Sequence, residues 1–126
     1  MKQIVKAPNA PLPVGPYNQA VKTQSLVYTA GQIPIDPKTN EMIAGGVTEQ
    51  AEQVIHNIKA VLEEAGSSLE KVLKATVFLK DMNDFPLMNE VYSQYFKPEF
   101  APARSTIQVA RLPKDAMVEI EVIASI

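Results

Sequence analysis

Thr48-Glu49-Gln50-Ala51-Glu52-Gln53-Val54-Ile55-His56-Asn57-Ile58-Lys59-Ala60-Val61-Leu62-Glu63-Glu64-Ala65-Gly66, followed closely by Lys71-Val72-Leu73-Lys74-Ala75-Thr76-Val77-Phe78-Leu79-Lys80, decides the fold class. In the first segment Ala51, Val54, Ile55, Ile58, Val61, Leu62 and Ala65 recur at helical spacing, and Gly66 stands where a C-terminal cap belongs. The second segment is rich in strand formers, with apolar residues in both alternation sets, so neither side of it is a clear solvent face. A helix is thus followed by a strand that expects cover on both sides.

Working outward, Asp81-Met82-Asn83-Asp84 reads as a turn ending in an N-cap at Asp84, and a second helix follows. Its apolar residues Phe85, Met88, Val91, Tyr92, Tyr95 and Phe96 keep the i, i+3, i+4 rhythm, Pro86 is tolerated in the first turn, and Pro98 ends it. Arg104 to Ala110 and Met117 to Ser125 read as closing strands, expected to pair as antiparallel neighbours across the loop Arg111 to Asp115. Upstream, a short apolar start (Ile4, Val5) precedes Ala7 to Pro16, whose four prolines and one glycine forbid a helix and predict an ordered loop. Gln19 to Thr23 and Leu26 to Gln32 form a candidate hairpin across Gln24-Ser25. Ile33 to Asn40 reads as a loop, and Gly45-Gly46 as a turn lacking the spacing and lysine of a phosphate loop. Strands, helix, strand, helix, strands is the order of an α+β sandwich, with two helices stacked on one face of a mixed sheet.

Length and composition agree. At 126 residues with 46% hydrophobic and 21% charged composition, one domain over residues 1–126 is expected. The chain has no cysteine, which removes disulfides, thiol nucleophiles and zinc–thiolate sites and suits a reducing compartment, so a cytoplasmic protein is expected. The N-terminus runs into prolines instead of an apolar signal stretch, and no segment is apolar enough for a membrane span. Net charge −2 lacks the basic footprint of a nucleic-acid binder, so no nucleic-acid partner is expected.

Few residues are left to carry chemistry. The single histidine, His56, falls one position past the apolar stripe of its helix and reads as an exposed flank residue, so no histidine triad is expected, and no clustered ligands suggest a metal. In Met117 to Ala124, alternation puts Glu119 and Glu121 on one face and Val118, Ile120, Val122 and Ala124 on the other. Arg104 shares alternation with Thr106 and Gln108. Two readings stand: solvated carboxylates with a plain Arg–Glu salt bridge, or a guanidinium fork that grips a substrate carboxylate beside a glutamate that handles water. Periodicity does not choose between them.

The segment Pro102-Ala103-Arg104-Ser105-Thr106-Ile107-Gln108-Val109-Ala110-Arg111-Leu112-Pro113, with Val118-Glu119-Ile120-Glu121-Val122-Ile123-Ala124, closely resembles the C-terminal signature of the RidA/YjgF family. Ala10-Pro11, Gly15-Pro16-Tyr17, Ala30-Gly31-Gln32-Ile33-Pro34, Ala75-Thr76-Val77-Phe78-Leu79 and Asn89-Glu90-Val91-Tyr92 extend the resemblance over nearly the whole chain. It implies a chorismate-mutase-like α+β fold, a homotrimer with ligand sites in the clefts between subunits, and deamination of reactive enamines and imines such as 2-aminoacrylate to 2-keto acids and ammonia, with no cofactor. Carried over by position, Arg104 binds the substrate carboxylate with the Gly31 amide, Glu119 and the Thr106 carbonyl position the attacking water, and Tyr17 and Asn89 line the cleft.

Two departures from the family pattern stand out: Ala30 replaces a frequent serine and Thr106 a frequent cysteine. The rival reading is a non-catalytic metabolite- or partner-binding regulatory module, since family members have also been described as regulators, chaperone-like proteins, ribonucleases or translation inhibitors. An Arg–Glu pair favours catalysis, because a sensor needs the carboxylate clamp but not the acid. The pattern itself calls for self-association. Two helices blanket one sheet face, yet Leu26, Val27, Tyr28, Val72, Leu73, Val77, Phe78 and Leu79 occupy both alternation sets, so the second face expects identical neighbours around a closed symmetry axis.

Overall fold

In the computed structural model, which describes residues 1–126, helix α1 (Val47–Glu64) begins at Gly46, whose N–H donates to the Glu49 carboxylate at 2.8 Å. At its other end Gly66 N–H donates to the Glu63 carbonyl and Ser67 N–H to the Leu62 carbonyl, a double closure that needs the left-handed backbone of Gly66 (φ 87°). Val54, Ile55, Ile58, Val61 and Leu62 are fully buried, as the spacing requires.

Strands β1 (Gln3–Val5), β2 (Ala20–Lys22) and β3 (Leu26–Thr29) form an antiparallel meander. The β2–β3 turn holds without glycine because the Thr23 hydroxyl accepts from Leu26 N–H at 3.2 Å and Thr23 N–H donates to the Leu26 carbonyl at 2.8 Å. Both strands are shorter than expected, for a physical reason at each end. The buried Gln19 side chain holds the proline loop, accepting from Ala7 N–H (2.6 Å) and donating to the carbonyls of Ala7 (3.1 Å) and Pro11 (2.8 Å). Gln32 leaves β3 to bridge Ile120 through both main-chain hydrogen bonds.

The expected loop Ile33 to Asn40 is corrected. Ile35–Asp36 (β4) pairs with Glu41–Met42 (β5) as a small ribbon, turned by the bond from Asn40 N–H to the Asp36 carbonyl, and its prolines flank the pairing instead of breaking it. Asn57 of α1, 1% exposed, braces this segment by donating to the Ile33 and Ile35 carbonyls.

The closing hairpin is also corrected. Strand β6 (Val72–Leu79) lies between β7 (Ala103–Gln108) and β8 (Val118–Ser125) in the sheet order β1-β2-β3-β8-β6-β7. Helix α2 (Phe85–Tyr95) crosses over between β6 and β7, which makes that pair parallel, while β8 runs antiparallel to both β3 and β6. Burial explains the choice: Val118, Ile120, Val122 and Ala124 make β8 fit the centre, whereas the more polar β7 stays at the edge. The capping residue of α2 shifts too. A 3-10 turn over Met82–Asp84 moves the start of helical geometry upstream, so Asp81 accepts from Asn83 N–H at 2.9 Å and the Asp84 side chain caps nothing.

The result is an α+β fold with α1 and α2 on one face of a six-stranded mixed sheet. The opposite face is open within the chain and exposes Tyr28 (42%), Leu73 (52%) and Ile107 (44%), with Phe78 and Ile123 half-buried beside them. No helix is long and apolar enough to cross a membrane.

Candidate functional site

Arg104 sits on edge strand β7 opposite Ala75 of β6, so its side chain projects to the helix-covered face. There Phe85, Asn89 and Tyr92 form one stripe of α2 at i, i+4 and i+7. The guanidinium lies 4.5 Å from the centre of the Tyr92 ring and 5.4 Å from that of Phe85, and Nη1 donates to Asn89 Oδ1 at 2.8 Å. Burial pushes the Tyr92 phenol pKa up, with the neighbouring guanidinium opposing. No carboxylate meets Arg104; the one salt bridge in the chain, Lys80 to Asp115 at 3.0 Å, is elsewhere. That removes the plain Arg–Glu pair as an explanation for this residue.

Thr106 lies two residues on along β7, its Oγ1 buried without a hydrogen-bond partner. Because Val109 N–H donates to the Leu79 carbonyl, alternation turns the main-chain groups of Arg104, Thr106 and Gln108 away from β6, to the open edge. The Thr106 carbonyl is therefore free to meet something outside the sheet.

Glu119 is placed differently. It pairs with Phe78, three residues along β6 from the partner of Arg104, so the two side chains occupy opposite faces of the sheet. They are also two strands apart, with roughly 10 Å of separation in each in-plane direction. Glu119 borders an open cavity of about 280 Å3 walled by Val14, Tyr17, Ala30, Gly31, Ile33 and Pro113. Burial first, and the charge of Glu121 second, hold its carboxyl above the usual glutamate range. Gly31 touches it so closely that a Cβ there would stand 2.5 Å from Glu119 Oε2. The Gln32–Ile120 bridge and the Asn57 brace hold Gly31 at that distance. Tyr17 folds back from the proline loop, its hydroxyl accepting from Val14 N–H at 3.2 Å.

The structure thus brings Tyr17, Gly31 and Glu119 together on one side, and Arg104, Asn89 and Thr106 together on the other. Asn89 meets Arg104 directly, so it reads as a support for the guanidinium as well as a cleft residue. Phe85 and Tyr92, assigned to the core by their spacing, turn out to seat Arg104, and Val14, Ile33 and Pro113 supply cavity walls that no motif announced. His56 is exposed as expected, within 3.0 Å of the Tyr95 hydroxyl, which donates to Glu52.

Residues 7–126 match the family model described as Endoribonuclease L-PSP. A RutC family protein of Pyrococcus horikoshii is 56% identical, over 98% of this chain and 98% of its own length. The chain belongs to the RidA/YjgF/RutC family. Another relative, the 2-iminobutanoate/2-iminopropanoate deaminase of Dermatophagoides farinae, is 46% identical over 99% of this chain and 97% of its own. Among solved structures, E. coli TdcF with bound serine superposes with a TM-score of 0.92 at 47% identity, covering 98% of this chain and 98% of TdcF. The RidA-family fold therefore extends over the elements that carry both groups of residues.

Proposed function

We propose that this chain is a deaminase that hydrolyses 2-imino acids, the tautomers of enamines such as 2-aminoacrylate, to 2-keto acids and ammonia. The observation that carries the reading is Arg104: half-buried, held by two rings and Asn89, with only one of its N–H donors engaged and no carboxylate in its own chain. A planar fork left free in this way suits a substrate carboxylate bidentately.

Since Arg104 and Glu119 stand on opposite faces of one sheet, a three- or four-carbon substrate cannot touch both within one chain. The reading therefore includes a homotrimer in which the β7 edge of one subunit meets the Glu119 cavity of the next. The exposed Tyr28, Leu73 and Ile107 on the open face support such packing. Arg104 and the Gly31 N–H bind the carboxylate. Glu119 and the Thr106 carbonyl orient a water toward the electrophilic C2, needing positioning and a proton acceptor but no covalent nucleophile. Glu119 takes a proton from the water as the C2–O bond forms and the C=N π pair passes to nitrogen, and its raised pKa suits it to return that proton to the nitrogen. C–N cleavage, with the carbinolamine hydroxyl proton going to the departing amine, then releases ammonia and the keto acid.

The deaminase name of the Dermatophagoides farinae relative supports this chemistry. A metabolite-binding regulator is the second reading, favoured by the serine held in TdcF. Generating the imine in situ with a threonine dehydratase or an amino-acid oxidase separates them. Accelerated ammonia and keto-acid release is expected, and release no faster than without the protein leaves only the binding reading. Light scattering should report about three times the 13.8 kDa chain mass, and an active monomer would overturn the shared site.

A further inference from the structure

We infer that Tyr92 and Phe85 are positioning residues of the carboxylate clamp, setting the plane and direction of the Arg104 guanidinium without touching the ligand. This rests on the reading of Arg104 as that clamp. An arginine on an edge strand has a long, freely rotating stem, and a fork accepts a carboxylate bidentately only when its plane and rotation are both set. The rings limit the plane: Tyr92 at 4.5 Å and Phe85 at 5.4 Å both lie within cation–π range. Asn89 limits the in-plane rotation by occupying Nη1. The remaining N–H donors are then presented together.

Tyr92 is itself immobile. It is 5% exposed and stacks on Phe96 with ring centres 4.4 Å apart and planes at 26°. Its buried hydroxyl makes no geometrically sound hydrogen bond, so its effect on Arg104 is limited to the electrostatic one that opposes the rise of its own pKa, and the ring face supplies the contact. The side chain thus links the packed core of α2 to the clamp at the sheet edge, and the ring face is the part that cannot be replaced.

Pyruvate serves as the probe, an unreactive 2-keto acid titrated calorimetrically into the assembled protein. Tyr92→Leu should weaken pyruvate binding about tenfold, and Phe85→Leu, over a longer contact, about threefold. Tyr92→Phe, which keeps the ring, should restore wild-type affinity. In imine turnover the leucine variants should raise KM by similar factors and leave kcat within about twofold, with the pH dependence set by Glu119 unmoved. Wild-type affinity in both leucine variants, or a Tyr92→Phe defect as large as that of Tyr92→Leu, overturns the inference. Should Tyr92→Leu fail to assemble, Phe85→Leu carries the test alone. If the wild type binds pyruvate in this pattern but releases no ammonia from imines, the deaminase reading fails and the clamp assignment stands.

Discussion

The seat of Arg104 and the cavity of Glu119 are built by opposite means. Arg104 is held by regular structure: a strand, a helical stripe and stacked rings, with one side-chain hydrogen bond. Glu119 also stands on a strand, but its surroundings are irregular: the proline loop held by Gln19, the Gly31 segment pinned by Gln32 and Asn57, and the turn at Pro113. The cation is fixed by packing; the acid is enclosed by loops tied down with buried amides. Between them lies the sheet, so each chain carries two half-sites that face away from each other.

That division is easiest to break at Arg104. Arg104→Ala should lower deamination by about 10^2 to 10^4-fold, the loss of a pair of charge-assisted hydrogen bonds, and lysine should rescue only in part. Co-assembling Arg104→Ala with Glu119→Gln subunits, each strongly impaired alone, should restore about a quarter of the sites if each site takes one residue from each of two subunits in a randomly mixed ring. No recovery in the mixed assembly would place both residues in one chain's site.

Glu119→Gln alone should cost roughly 10^2-fold or more in turnover while pyruvate affinity stays near wild type. It should also make the protein more stable at neutral pH. A carboxyl whose folded pKa is raised binds its proton more tightly when folded, so its contribution to stability is full below the unfolded value and is lost as pH rises through the folded one. The amide escapes that loss, and thermal melts of the two proteins should converge below about pH 4. A Glu119→Gln protein that melts lower than wild type at pH 7 would remove burial as the cause of the shift.

Gly31→Ala should come next, with activity down by about tenfold and little change in melting temperature, because the methyl meets the mobile end of Glu119 at 2.5 Å and pushes it out of line. Unchanged turnover would show that the carboxylate finds its place regardless. Glu121→Gln should have the smallest effect on the maximal rate. Removing its charge should shift the acidic limb of the pH–rate profile downward, since that charge contributes to the raised pKa of Glu119. If Glu121→Gln instead proves the more damaging of the two glutamine substitutions, the roles of the carboxylates are exchanged.

Much of this architecture is legible in the sequence. Helical spacing locates α1 and α2, Gly66 marks the first helix end, and the apolar residues in both alternation sets of Lys71 to Lys80 announce a strand that needs cover on both faces. Which strands are neighbours is less legible, because alternation reports a residue's face and says nothing of the strand beside it. A short loop between two candidate strands suggested a hairpin at β7 and β8. The better signal was the helix between β6 and β7: a strand–helix–strand passage favours parallel neighbours, and the apolar β8 then fits the centre. The site divides in the same way. Arg104 and Glu119 are found through the family signature, whereas the ring seat is hidden because Phe85 and Tyr92 satisfy the core pattern equally well. The amides of Gln19 and Asn57 carry no periodic signature, since their work is to hold irregular backbone.

The central place of β8 also bears on how the chain folds. The meander β1-β2-β3 and the β6-α2-β7 passage each join strands that are close in sequence, and each can form early with little loop closure. β8 must then enter between them, pairing with β3 across nearly the whole length of the chain. Until it docks, each half presents an unpaired strand edge, and that interval is when the protein is most open to pairing with another chain. The same pairing brings Glu119 against Gly31, so the acid half-site is complete only when the sheet is.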